Sequence, residues 1–97
     1  MTLTDFKDSL AGAAPPDEFG AALQALWWAG KDDWKRAHKL VMEASDSDSA
    51  WVHAYLHRVE GDLSNAAYWY RQAGQSRAIG ALDEEWAAIA AVLLTRV

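Results

Sequence analysis

Helix-breaking residues recur along this chain at intervals that leave room for only a few helical turns between them. They are Pro15-Pro16, Gly30, the run Ser45-Asp46-Ser47-Asp48-Ser49, Gly61 and Gly74. Proline donates no amide and restricts its predecessor. Glycine enters the left-handed region that closes helices, and serine and aspartate side chains compete for backbone bonds. Between the breaks, apolar residues return every three or four positions. Phe19, Leu23, Leu26 and Trp27 fall at i, i+4, i+7 and i+8, and Val52, Tyr55, Leu56 and Val59 share a second stripe. No stretch alternates with period two for long. The twenty alanines of the chain favour closely spaced helices over sheets. The fold class is therefore all-α: five or six short antiparallel helices joined by short turns.

The spacing predicts a first helix from about Thr4 to Ala14, with Thr4 as its cap and Phe6 and Leu10 as an apolar pair. Asp17 and Glu18 open a second helix that Gly30 ends. Asp33 caps a third, carrying Trp34, Ala37, Val41 and Ala44. The end of the serine–aspartate loop caps a fourth over about Ala50 to Glu60, and a fifth runs from Leu63 to Ala73, closed by Gly74. A loop or single turn follows to Leu82, and Asp83, Glu84 and Glu85 start a terminal helix through Trp86, Ile89, Val92, Leu93 and Leu94. At 10.7 kDa the folded surface should be roughly 5,500 Å², enough for one core and not two. Residues 1–97 thus read as a single helical domain, with a capping helix over about 83–97.

The net charge of −5 opposes general binding to a phosphate backbone. The basic run Lys31, Lys35, Arg36, Lys39 is interrupted by Asp32 and Asp33 and reads as a solvated helix face. No nucleic-acid partner is expected. The start Met1-Thr2-Leu3-Thr4-Asp5 has no signal-peptide pattern, and the longest apolar run, Trp86 to Leu94, falls far short of the ~20 residues a bilayer span needs. The expectation is a cytoplasmic protein without a membrane partner. Cysteine is absent, which removes disulfides and thiol chemistry.

A shift of 29 residues overlays Asp33-Trp34, Ala37, Leu40 and Ala44 on Asp62-Leu63, Ala66, Trp69 and Ala73. Two helical hairpins, over about 17–44 and 49–74, follow from this weak repeat; neither buries its stripe alone, and stacking buries both. The stretch from Gly61 to Ala73, with Gly61-Asp62 at a turn, Ala66 and Ala73 as small contact residues and Tyr70 as a large packing residue, resembles the turn and second helix of tetratricopeptide-like hairpins. Ala54 matches the small position of the preceding helix. The match is best over residues 54–73. It departs from the family in its spacing, since that repeat is about 34 residues long, in lacking a closing proline, and in having Asp32 where the second hairpin has Gly61. The resemblance implies a protein-binding module, with Trp51, Tyr55 and Val59 toward the concave side as partner contacts, and with His53 and His57 facing the packing side.

The densest polar chemistry is His53-Ala54-Tyr55-Leu56-His57-Arg58-Val59-Glu60. On a helix, His53, His57 and Glu60 share a strip roughly 60° wide. Histidines at i and i+4 are able to hold one zinc ion, and Glu60 offers a third ligand, although three ligands from one straight helix are strained. A ligand from another helix, such as His38, is the more natural completion. The plainer reading is that His53 and His57 hydrogen-bond between helices, and a small polar ligand or phosphate site using Arg58 or Arg71 is a further alternative. Asn65, in the first turn of the fifth helix, either contacts a ligand or ties helices together. No nucleophile is paired with a base, so no catalytic residue is assigned.

Six tryptophans and three tyrosines are a heavy aromatic load for a small interior. Adjacent rings, such as Trp27-Trp28 and Tyr68-Trp69-Tyr70, cannot all face one neighbour, so at least one is expected to stay partly exposed; Tyr68 is included among the partner contacts. The all-apolar terminal helix is either central or shared with a second copy, which would make a homodimer. Three functions stand side by side. The first is an interaction module binding a peptide, a partner helix or its own copy, through Trp51, Tyr55, Val59 and Tyr68 with His53, His57, Arg58 and Asn65 orienting. The second is a small-ligand or zinc-binding protein, with or without catalysis, centred on His53, His57 and Glu60. The third is a purely structural oligomerisation subunit.

Overall fold

A computed structural model covering residues 1–97 contains six helices and no strand: α1 (Leu3–Ser9), α2 (Ala21–Gly30), α3 (Trp34–Met42), α4 (Ser47–Val59), α5 (Leu63–Ala73) and α6 (Leu82–Leu94). The accessible surface is 5463 Å².

Caps decide where these helices begin, and they correct three of the expected starts. α1 begins two residues after Met1 because Thr2 and Asp5 form a reciprocal capping box, so Thr2 and not Thr4 is the cap. It ends at Ser9 rather than Ala14, followed by turns through Gly12. α2 opens at Ala21 and not at Asp17: Gly20 is an N-cap without a side chain, and Gln24 reaches back to the carbonyl of Phe19 at 2.7 Å. α4 starts at Ser47, three residues ahead of Ala50, because Asp46 accepts from the amide of Ser49. By contrast α5 spans Leu63–Ala73 as expected, between the Asp62 cap and Gly74 in the left-handed region.

The 29-residue repeat is realised at its turns. After α2, the amide of Asp33 bonds the carbonyl of Trp28 and the amide of Asp32 bonds that of Ala29; after α4, Asp62 bonds His57 and Gly61 bonds Arg58. Both are Schellman motifs. Each has a left-handed residue at the same register, Asp32 at φ 60° and Gly61 at φ 85°. The missing glycine of the first hairpin therefore changes the cost of the turn and not its form. A left-handed conformation costs a non-glycine residue about 1–2 kcal/mol, and the extra conformational entropy that a glycine loses on folding offsets part of that difference. Gly61→Ala, whose new methyl meets nothing within 4 Å, is expected to lose about 1 kcal/mol in urea unfolding. Asp32→Gly is expected to gain a few tenths of a kcal/mol. Two changes of the same sign would show that the turns are not equivalent.

Sixteen buried residues from α1, α2, α3, α4, α6 and the α2 approach form one core, among them Phe6, Leu26, Trp27, Val52, Leu56 and Ile89. Three indole N–H groups staple helices across it. Trp27 donates to Ser9 of α1 at 3.0 Å, Trp34 to the carbonyl of Leu56 in α4 at 2.7 Å, and Trp86 to the carbonyl of Leu26 in α2 at 2.8 Å. Gly30 lies against α6, where an added methyl would come within 3.0 Å of Trp86. The terminal helix buries Trp86, Ile89, Ala90 and Leu93 against α1, α2 and α4 and leaves Ala88, Ala91 and Val92 exposed.

α5 is attached differently. Its neighbour is α4, with which it buries a separate three-residue cluster of Ala54, Ala66 and Tyr70. A second tie runs through Glu85 of α6. The buried Glu85 carboxylate accepts from Tyr70 of α5 and, at 2.9 Å, from Arg58 of α4; Arg58 also bonds the carbonyl of Gly80 in the segment between α5 and α6. None of the six tryptophans is fully exposed; the exposed aromatic side chain is Tyr68, 46% accessible.

Candidate functional site

All three histidines of the chain meet between α3 and α4. His53 and His57, one turn apart on α4, stack at 4.9 Å between ring centroids, and His38 of α3 stands edge-on to both, at 4.8 Å and 5.2 Å. The Nε2 atoms of His38 and His53 are 3.1 Å apart. One ring nitrogen from each histidine falls within 4.8 Å of the other two.

Aromatic walls hold the cluster. Trp34, one turn before His38, stacks on it at 4.6 Å and 14°, while Trp69 of α5 stacks on His53 at 4.0 Å and 15°. Glu60, in the cap position after α4, takes the Nδ1 of His57 at 2.5 Å. His53 and His57 are buried and His38 is half-buried. Burial, reinforced by the neighbouring His38 and His57, lowers the pKa of His53 to about 4. Burial and His57 also lower that of His38, with Glu60 acting in the opposite direction. At neutral pH His53 is a neutral imidazole, with one ring nitrogen carrying a proton and the other a lone pair. Its Nδ1 is buried with no hydrogen-bond partner, an uncommon condition for an interior polar atom.

The structure thus brings His53 and His57 together as the helical spacing implied, adds His38, and places Glu60 on the outer nitrogen of His57 rather than beside the other two rings. The i,i+4 spacing of Trp34 and His38 was a readable signal for that stack; nothing local pointed to Trp69. Asn65 is occupied with Asp62, which accepts from its amide at 3.3 Å and its side chain at 3.5 Å. Arg58 is committed to Glu85 and Gly80.

A second region is apolar. A cleft of about 670 Å³ is lined by Leu10, Trp34, Tyr55, Leu56, Val59, Leu82 and Trp86, with Lys7, Asp32 and Asp83 among its polar residues. Tyr55 and Val59 line it, but Trp51 lies in a separate cleft beside Ala78, Ala81 and Ile89. Leu82 also borders a third cleft, with Leu63, Tyr70, Arg77 and Ile79. Leu82 thus borders two clefts, with Val59 in the first and Leu63 and Ile79 in the other, and all four side chains are exposed, Ile79 at 97%. No helix is long and apolar enough to cross a membrane.

Compared with protein-family models, curated proteins and solved structures, the chain shows no match to any of them.

Proposed function

We propose that this protein is a helical interaction module of tetratricopeptide-like design that binds an apolar helical segment of a protein partner across the surface centred on Leu82. The observation that carries this reading is that exposed Leu82 borders two clefts, one carrying exposed Val59 and the other exposed Leu63 and Ile79. Scattered apolar side chains are ordinary on a protein surface, whereas several side by side around concave clefts mark contact sites. The paired helices α2–α3 and α4–α5, with Ala37, Ala54 and Ala66 buried, support the hairpin design. Affinity comes from burying the four apolar side chains and extending into the cleft walled by Trp34 and Trp86. Asp32, Asp83 and Lys7 at that cleft set orientation.

Amphipathic helical peptides selected on the wild-type protein are expected to bind Leu82→Glu at least about tenfold more weakly, with the helical signal of the variant intact. Peptides that bind the variant undiminished would place the contact surface elsewhere and overturn the reading. Solution mass over a concentration series tests the same surface for a second copy of the chain: association that Leu82→Glu abolishes identifies the partner as self.

A further inference from the structure

We propose that His38, His53 and His57 form a binding site for a divalent transition metal of the zinc class, with one coordination position left open toward solvent. The three side chains come from two helices, which removes the strain of drawing three ligands from one. In a tetrahedral site with zinc–nitrogen bonds of about 2.0–2.1 Å, ligand nitrogens lie about 3.3 Å apart. The Nε2 atoms of His38 and His53 are already at 3.1 Å, and the third histidine has a nitrogen within 4.8 Å of both.

Hydrogen bonding fixes which nitrogen of His57 is free. Its Nδ1 is held by Glu60 at 2.5 Å, so the proton belongs on that side and the Nε2 lone pair is the available ligand. A carboxylate behind a histidine is the arrangement that orients metal ligands and raises their basicity. His38 and His53 are held by stacking instead, on Trp34 and Trp69. The alternative, a purely structural histidine cluster, accounts for the His38–His53 contact as one hydrogen bond. It leaves unexplained why three imidazoles are gathered at one point, where apolar side chains would serve the packing without the cost of burying polar nitrogens.

An all-imidazole set suits zinc and its neighbours in the first transition series and not magnesium or calcium, which take oxygen ligands. Half-exposure of His38 leaves the approach from α3 open, so water or a small anion completes the coordination. Trp34 borders both this site and the cleft beside Leu82, but the three histidines do not line that cleft and the metal site does not depend on the binding role proposed there.

The test uses the full chain without a histidine tag, stripped of metal and titrated with zinc and with cobalt(II). One equivalent of each is expected to bind, the cobalt complex showing the intense visible bands of tetrahedral coordination. His57→Gln and His38→Gln are expected to weaken binding by at least about 100-fold, and Glu60→Gln by about 10–100-fold. Because His38 is half-buried, its variant is the one that keeps the fold, which circular dichroism verifies. Absence of stoichiometric binding by folded wild-type protein overturns the proposal. So does binding that survives in folded His38→Gln, since the ion would then be held elsewhere.

Discussion

Trp27→Ala is expected to destabilise the domain by about 3–5 kcal/mol, the range for emptying a buried tryptophan site. A domain of this size has about 5–15 kcal/mol in total, so the loss takes from about a fifth of the stability to all of it. Trp27 is fully buried and belongs to the main core. Its indole donates to Ser9, whose hydroxyl in turn donates to the carbonyl of Phe6 at 2.6 Å. Truncation therefore opens a large cavity and also unties α1, a seven-residue helix too short to persist alone. The neighbour Trp28 supplies the control. It is half-buried, stands edge-on to Trp27 at 4.9 Å and carries Arg36 over its ring at 4.2 Å. Trp28→Ala should cost clearly less, on the order of 1–2 kcal/mol for partial burial and the cation–π contact. Denaturant unfolding of both variants separates them; equal losses would mean that the assigned burial is wrong.

The contrast between those adjacent rings shows what the sequence made legible. The stripe of Phe19, Leu23, Leu26 and Trp27 placed Trp27 inside and Trp28 off the stripe, and the accessibilities agree. α5 was legible to the residue because its cap and its closing glycine are both strong local signals. The starts of α1, α2 and α4 were not. Thr2 competes with Thr4, Gly20 has no capping side chain, and Asp46 outcompetes the later serines for the role; such contests are settled by which geometry the rest of the helix accepts.

The histidine pair on α4 followed from spacing alone, whereas its meeting with His38 depends on how α3 packs on α4, a tertiary fact that periodicity does not contain. The surface around Leu82 was invisible for a related reason. Ile79 lies between helices, in a segment with no period to read, next to Gly80, whose carbonyl Arg58 pins. Terminal helix α6 looked apolar all round; Ala88, Ala91 and Val92 are left outside, while Ala90 is buried with Trp86, Ile89 and Leu93.

The same pin identifies the second large effect. Glu85→Ala is expected to destabilise the protein by about 3–5 kcal/mol, because it leaves Arg58 largely buried without its anion. The Glu85 side chain is 6% accessible and that of Arg58 is 15%, so solvent screens the pair poorly. Three helices depend on that carboxylate, since Arg58 is on α4, Tyr70 on α5 and Glu85 on α6. Apart from that carboxylate, α5 packs on α4 alone, through its small cluster and the Trp69–His53 stack, and hydrogen exchange in α5 should accelerate more than in α2.

Replacing both charges with methionines, Arg58→Met with Glu85→Met, should recover most of the loss, since a well-packed apolar pair is often as stable as a buried ion pair. A double variant no better than the single one would place the loss in packing and not in the stranded charge. Tyr70 gives an independent readout. Burial first, then its hydrogen bond to Glu85 and that group's negative charge, raises the phenol above its ordinary pKa. A raised pKa means that the unfolded chain releases the proton first, near pH 10. The stabilisation is therefore complete below about pH 10 and is lost as pH climbs past it toward the folded-state value. Wild-type protein should lose stability across that alkaline range more steeply than Tyr70→Phe, which has no proton to release there. If the two lose stability in parallel, the Tyr70–Glu85 bond does not couple α5 to α6.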